Sequence, residues 1–210
     1  MNLSPLMIFP VLFPIVSGMA LMFFRPGTDE HRHRYETFVV LMNALLVFVS
    51  ITRAGDGTLT LWRATETLAL SFRMDELSKT FAVLVSVIWP LVTFYAFGYL
   101  KRRPPEDRFF AFFLTTLGIL IGIAYAANFL TLYLFYELLT FATLPLVMHS
   151  QKQEAIRAAM KYLFYSITGA CLALTGFFFF YRYGVSTDFT PGGVLDTAKL
   201  ANGSDRKSVV

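Results

Sequence analysis

The chain has 210 residues, 56% of them hydrophobic and only 15% charged, with a formal net charge of +4 and a mean hydropathy of +0.57. A soluble domain of this length carries more charge and alternates polar with apolar faces, so the composition excludes one. The basic residues cluster at the ends of long apolar runs and give no case for nucleic acid, and the single Cys171 excludes a disulfide framework or a paired-thiol metal site.

The opening stretch, MNLSPLMIFPVLFPIVSGMALMFF, lacks the basic n-region of a signal peptide and reads as a retained first span over residues 4–24. Pro5, Pro10 and Pro14 predict a kink or an irregular start. A polar stretch follows, RPGTDEHRHRYE. His31 and His33 are two apart and cannot share a helix face, so they read as surface-loop residues and not as metal ligands. Span 2 covers about residues 35–52. Beyond it Asp56-Gly57 signals a turn, and Thr58–Trp62 and Thr67–Phe72 alternate as strands do. A short β-hairpin outside the lipid is expected.

Span 3 covers about residues 76–100, with Pro90 predicting a kink at its middle. Asp75 and Glu76 suit the macrodipole at its start, and Lys79 reads as snorkelling to the interface. Span 4 covers about residues 109–126. Gly118, Gly122 and Ala126 repeat at four-residue spacing and predict one smooth face for close helix contact. The link to span 5, about residues 128–148, is so short that spans 4 and 5 must be antiparallel. Ser150 and Gln153 have the spacing of a capping box for span 6, about residues 154–183. Residues 1–183 thus form a transmembrane helical domain, and the fold class is an all-α membrane protein of six transmembrane helices with a hairpin between the second and third. Residues 184–204 read as a polar, truncated loop. Residues 205–210, DRKSVV, read as a sequencing artefact in a broken frame.

Lysine and arginine counts set the orientation. One side carries Arg25, Arg32, Arg34, Lys101, Arg102, Arg103, Arg108, Lys152 and Arg157; the other carries Arg53, Arg63 and Arg73 before the tail. The positive-inside rule places the N-terminus and the hairpin outside.

Span 5, NFLTLYLFYELLTFATLPLVMHS, holds one carboxylate near its centre, Glu137. A charge there costs on the order of 3 kcal/mol even on lenient insertion scales, so the residue needs a partner, a cavity or a task. Tyr133 and Thr140 lie within a turn of it. On span 6, Lys161 lies about 10 Å from the inner end, with Tyr165 and Thr168 following at i+4 and i+7. Two readings follow. Glu137 and Lys161 are structural, as an ion pair or as separate polar contacts, or Glu137 is a protonatable site on an ion path. Burial disfavours a charged carboxylate and a nearby cation favours it, so a moving cation would load and unload the proton.

NFLTLYLFYELLT followed by EAIRAAMKYLFYSITGA resembles the proton-translocating antiporter family: the Mrp cation/proton antiporter subunits A and D, and the NuoL, NuoM and NuoN-type subunits of respiratory complex I and membrane-bound hydrogenases. FRMDELSKTFAVLVSVIWPLVTFYAFGYL is similar to that family's third span. The resemblance covers about residues 59–183. It implies a subunit of about fourteen helices in two inverted repeats. It also implies a proton half-channel centred on Glu137, partnered by a lysine on a seventh span beyond this chain, with Lys161 matching a sixth-span lysine. It implies other membrane subunits as partners, protons and monovalent cations as substrates, and a bacterial or archaeal inner membrane as location. Within the family the motifs of spans 3 and 6 read closest to an Mrp-D-like subunit, with a NuoM/NuoN or hydrogenase-type subunit as the alternative. No GxGxxG and a single cysteine leave no motif for NADH, flavin or iron–sulfur, and no cofactor or catalytic site is expected. The rival from another class is a structural membrane subunit in which Glu137 glues helices. Six spans with one midplane carboxylate are expected to transport nothing by themselves.

The orientation is tested by single cysteines at Gly57 and Pro105 in intact cells. A membrane-impermeant thiol reagent is expected to label Gly57→Cys from outside and Pro105→Cys only after lysis; outside labelling of Pro105→Cys would reverse the assignment.

Overall fold

The structure, a computed structural model, describes residues 4–24, 28–54, 57–63, 65, 68–100, 106–184 and 186–190. A 3-10 turn, Ser4–Ile8, leads into α1, Phe9–Phe23. Then come α2 (Asp29–Arg53), β1 (Thr58–Arg63), β2 (Ala69–Arg73), α3 (Glu76–Leu100), α4 (Glu106–Ala124), α5 (Phe129–Val147) and α6 (Gln153–Tyr183). Among the described residues, six helices are long and apolar enough to cross a membrane. The expected turn at Asp56, the basic loop at residues 101–105 and the tail from residue 191, with its suspected artefact, lie outside the described residues.

Several boundaries differ from the sequence reading, α4 for one running Glu106–Ala124 where 109–126 is expected, and the starts of α2 and α6 show why. α2 begins at Asp29, because Thr28 caps it: its side chain accepts from the His31 backbone N–H at 3.4 Å. Asp29 and Glu30 fill the first turn, where carboxylates suit the helix dipole. His31 and His33 are therefore helical, and His33 stacks on Phe97 of α3 at 4.2 Å between ring centroids. At α6 the capping box does not form. The N-cap is Lys152, without a side-chain cap bond. The turn before it closes instead through Gln151, which takes a φ of 55° and donates both its backbone and side-chain N–H to Met148 O.

α4 is the central helix. It packs on α1, α2, α3 and α5, while α6 packs on α5 at the edge. α1 comes closest to α4 through two glycines. A Cβ on Gly18 would run into Ala111 and Thr115 of α4, and one on Gly118 into Val11, Pro14 and Ile15 of α1. Gly122 serves another neighbour, since a Cβ there would strike the Phe135 ring of α5. The glycine stripe is thus not one face for one helix but two adjacent contacts, and Ala126 lies beyond the helix end. The main core joins Met7, Val11, Val39, Val47, Phe72, Ala82, Leu114, Ile121, Tyr125 and Phe135. A smaller cluster at the opposite end joins Leu21, Leu100, Phe110 and Phe113. Phe9, Leu12, Val16 and Met19 of α1, like Leu84, Leu91 and Tyr95 of α3, face outward. This is the inversion expected of helices whose solvent is lipid.

α3 starts on an Asp75 cap: Oδ1 accepts from the Ser78 N–H and hydroxyl, both at 2.8 Å. Burial pushes the Asp75 pKa up, but the Ser78 bonds and the Arg73 guanidinium outweigh it, and the net shift is down. Lys79 reaches Glu76 at 2.7 Å.

The hairpin is antiparallel, pairing Thr58 with Arg73 and Arg63 with Ala69. β2 is pinned to the α4–α5 turn. Arg73 N donates to Tyr125 O at 2.8 Å, and Ala127 N donates to Ser71 O at 3.0 Å. Asn128 joins them: Nδ2 donates to Ala69 O (2.7 Å) and Ser71 Oγ (2.9 Å), while Oδ1 accepts from Thr131 N and Oγ1, both at 2.9 Å. Thr131 Oγ1 in turn accepts from Ser71 N at 3.0 Å. Asn128 is 2% exposed, so truncation strands buried groups. Asn128→Ala is expected to cost about 2–4 kcal/mol through the lost cap and the orphaned buried partners. The check is thermal unfolding of the detergent-solubilised protein, where an unchanged midpoint would contradict this account.

Candidate functional site

Asn128 fixes where α5 begins, and therefore how deep Glu137 sits. Glu137 is eight residues after Phe129 and ten before Val147, the middle of the helix. α5 turns Thr131, Phe135 and Ala142 toward the rest of the bundle, with Phe135 seated on Gly122 of α4. At about 100° per residue, Glu137 points nearly opposite, on the stripe of Tyr133 and Thr140. Glu137 is half-buried, and its Oε1 is buried without a hydrogen-bond partner among the described residues.

α6 covers one side of this stripe. Thr140 Oγ1 lies 3.3 Å from Ser166 Oγ, and Thr143 Oγ1 lies 2.8 Å from Tyr162 OH. The α6 residues turned inward are Ala159, Tyr162, Ser166, Ala170 and Phe177, at successive spacings of three, four, four and seven. Lys161 is exposed and on the other face, and among the described residues no ion pair joins it to Glu137. Tyr165 is 72% exposed. Thr168 is exposed and donates to Phe164 O at 2.8 Å. The structure therefore groups Glu137 with Tyr133 and Thr140 and separates them from Lys161, Tyr165 and Thr168. The sequence reading extended the stripe from Lys161 and so chose the outward face; the 3.6 period leaves that phase free until packing sets it. Tyr162 and Ser166 are the hydroxyls that meet α5.

A second polar set went unread. α2 buries Arg32, Glu36, Asn43 and Ser50, at spacings of four, seven and seven. Arg32 bonds Asp107 of α4 at 2.8 Å and also pairs with Asp29 and Glu36. Ser50 Oγ lies 2.9 Å from the Tyr125 hydroxyl. The sequence signal was available: polar residues at heptad spacing inside an apolar span point one way. Among the described residues, no three His, Cys, Asp or Glu side chains group as metal ligands.

Six apolar helices among the described residues, with a hairpin locked onto a helix turn, define a multi-pass membrane protein. The family described as "NADH:quinone oxidoreductase/Mrp antiporter, TM" matches residues 126–202. That described as "NADH-Ubiquinone oxidoreductase (complex I), chain 5 N-terminus" matches residues 62–110. The chain belongs to this Mrp/NuoL-like antiporter family. It is 30% identical over 142 residues to the Na(+)/H(+) antiporter subunit A1 of Staphylococcus haemolyticus (strain JCSC1435), covering 66% of this chain and 18% of the relative. It is 27% identical over 177 residues to the subunit A1 of Staphylococcus aureus (strain JH9), covering 80% and 21%. The chain thus spans about a fifth of the length of these curated relatives. In fold it is similar to a chain of the membrane-bound sulfane sulfur reductase, an archaeal respiratory membrane complex: TM-score 0.68, 19% identity, covering 88% of this chain and 28% of that one.

The α5–α6 geometry is tested by double-mutant cycles on stability. Thr143→Val with Tyr162→Phe is expected to show coupling of roughly 1 kcal/mol, and Glu137→Gln with Lys161→Ala none. Coupling in the second pair and not the first would place α6 in the opposite rotation.

Proposed function

We propose that this chain is part of a membrane subunit of a monovalent cation/proton antiporter of the Mrp type, and that Glu137 is its protonatable site. The observation that carries the reading is Glu137 itself: a carboxylate at the centre of a membrane helix, with one oxygen buried and no partner among the described residues. A carboxylate kept as helix glue is expected to hold a neighbour, and Thr140 and Thr143 already make the α5–α6 contacts. A group that binds and releases a proton needs an unoccupied oxygen and an approach. Glu137 lies on the side of α5 turned away from α4, where a further element of a longer subunit has access.

In this reading Glu137 is the group at which a proton is bound and released along the path. Tyr133 and Thr140 supply the hydroxyls nearest in sequence on its stripe. Lys161 is exposed on the other face of α6, which supports a partner cation elsewhere, and the seventh-span lysine implied by the family resemblance fits the role. The match to curated relatives named as antiporter subunit A1 supports the Mrp assignment, and the motifs of spans 3 and 6 incline it toward a D-like subunit. A complex I-type proton-pumping subunit is the second reading, supported by the family match over residues 62–110. In either case the partners are other membrane subunits, the N-terminus is outside and the location is a prokaryotic inner membrane.

Glu137→Gln in the full-length protein keeps shape and hydrogen bonding but cannot titrate. It is expected to abolish cation/proton exchange in everted vesicles while inserting normally. Glu137→Asp should retain part of the activity, and Lys161→Ala most of it. Wild-type exchange by Glu137→Gln would remove the proton-site reading in favour of the structural one.

A further inference from the structure

The two ends of α2 are tied to α4 in one register. Arg32 meets Asp107 near one end and Ser50 meets Tyr125 near the other. The same 18-residue interval separates the contacts along α2 and along α4 with Tyr125, the residue that follows it, so α2 and α4 run parallel with their inward faces matched. Asn43 lies between these ties, at the centre of the inward stripe defined by Glu36, Val40, Val47 and Ser50. It is 1% exposed, and among the described residues neither its Nδ2 nor its Oδ1 has a hydrogen-bond partner. A buried amide left in that state costs several kcal/mol in a hydrocarbon-like setting, and chains resolve such cases with ordered water when no protein group is in reach.

α3 brings unused polar groups to the same depth. Asn43 is ten residues before the end of α2 at Arg53, and Ser86 is ten residues after the start of α3 at Glu76. Both are therefore about 15 Å in from the hairpin end of the bundle. The two helices pack together, with Val39, Val40 and Val47 of one and Ala82 and Val85 of the other in one cluster. Ser86 Oγ is buried and has no hydrogen-bond partner among the described residues. Its carbonyl also lacks its ordinary helical donor, because the residue four further on is Pro90, which has no N–H. Four polar groups at one depth, two donors or acceptors on each helix, match the roughly three hydrogen bonds that a buried water makes.

We propose that water is bound at mid-membrane between α2 and α3, held by the Asn43 amide and by the hydroxyl and carbonyl of Ser86. The site lies in the α1–α4 core, apart from Glu137 on α5. It places a proton-donating and proton-accepting molecule on the polar line of α2, between Glu36 and the Ser50–Tyr125 pair. It rests on burial and hydrogen bonding and stands whether or not Glu137 carries protons.

The test is water-edited solid-state NMR on the full-length protein in lipid bilayers, reading the Asn43 side-chain amide, assigned by its disappearance in Asn43→Leu. The expected result is early transfer of water magnetisation to that amide, ahead of the Val39 and Val47 methyl groups. Ser86→Ala, which removes one of about three hydrogen bonds to the water, should reduce the transfer by about half. Transfer to Asn43 no faster than to the valines would overturn the proposal, as would transfer undiminished in Ser86→Ala.

Discussion

The level at which α5, and with it Glu137, sits is set by one buried side chain, Asn128. In lipid, a helix cannot find its level by solvating its ends, and every exposed backbone group must be met by protein or interface water. Asn128 does both tasks at once. Its Oδ1 caps α5, and its Nδ2 holds β2 through Ala69 and Ser71. The bonds from Arg73 to Tyr125 and from Ala127 to Ser71 extend the same joint into a short backbone ladder. The hairpin is therefore a clasp across the α4–α5 turn. Phe72, wedged between Tyr125 and Phe135, gives it an apolar root.

From this joint the bundle is organised by how few polar groups it can bury without partners. At the end away from the hairpin, Arg32 gathers Asp29, Glu36 and Asp107, and so ties α2 to α4 with charges that satisfy one another. A buried ion pair of this kind adds little net stability but strongly disfavours other registers, since breaking it leaves uncompensated charge. α1 meets α4 by the opposite means, with glycines that let backbones approach, as befits helices with no hydrophobic driving force between them in lipid. α5 and α6 meet through paired hydroxyls. Glu137 is in none of these sets. It stands half-buried on the stripe of Thr140, beside the hydroxyl contacts to α6 and turned away from α4.

Much of the architecture was legible in one dimension because hydrocarbon thickness and the 1.5 Å rise leave little freedom. Spans 3 and 5 match α3 and α5 to within a residue, and the alternating Thr58–Trp62 became β1. The misread boundaries share a cause. The start of α2 looked like a loop because its first turns are charged, yet Thr28, Asp29 and Glu30 are what a helix start needs. The Ser150 cap matched a motif that the backbone, turning at Gln151, does not use.

The sequence by itself determined that this is a six-span membrane chain of the antiporter family with one carboxylate at the middle of its fifth span. Hydrophobic length, charge at the span ends and local motifs are properties of the chain alone. Rotation is not. Whether Lys161 or Tyr162 faces α5, and whether Asn43 faces lipid or core, depends on which neighbour each helix meets, and apolar spans leave the helical phase almost undetermined when lipid is as apolar as the core. Only the tertiary structure, through contacts such as Thr143 with Tyr162 and Arg32 with Asp107, decided which polar residues meet and which stand apart.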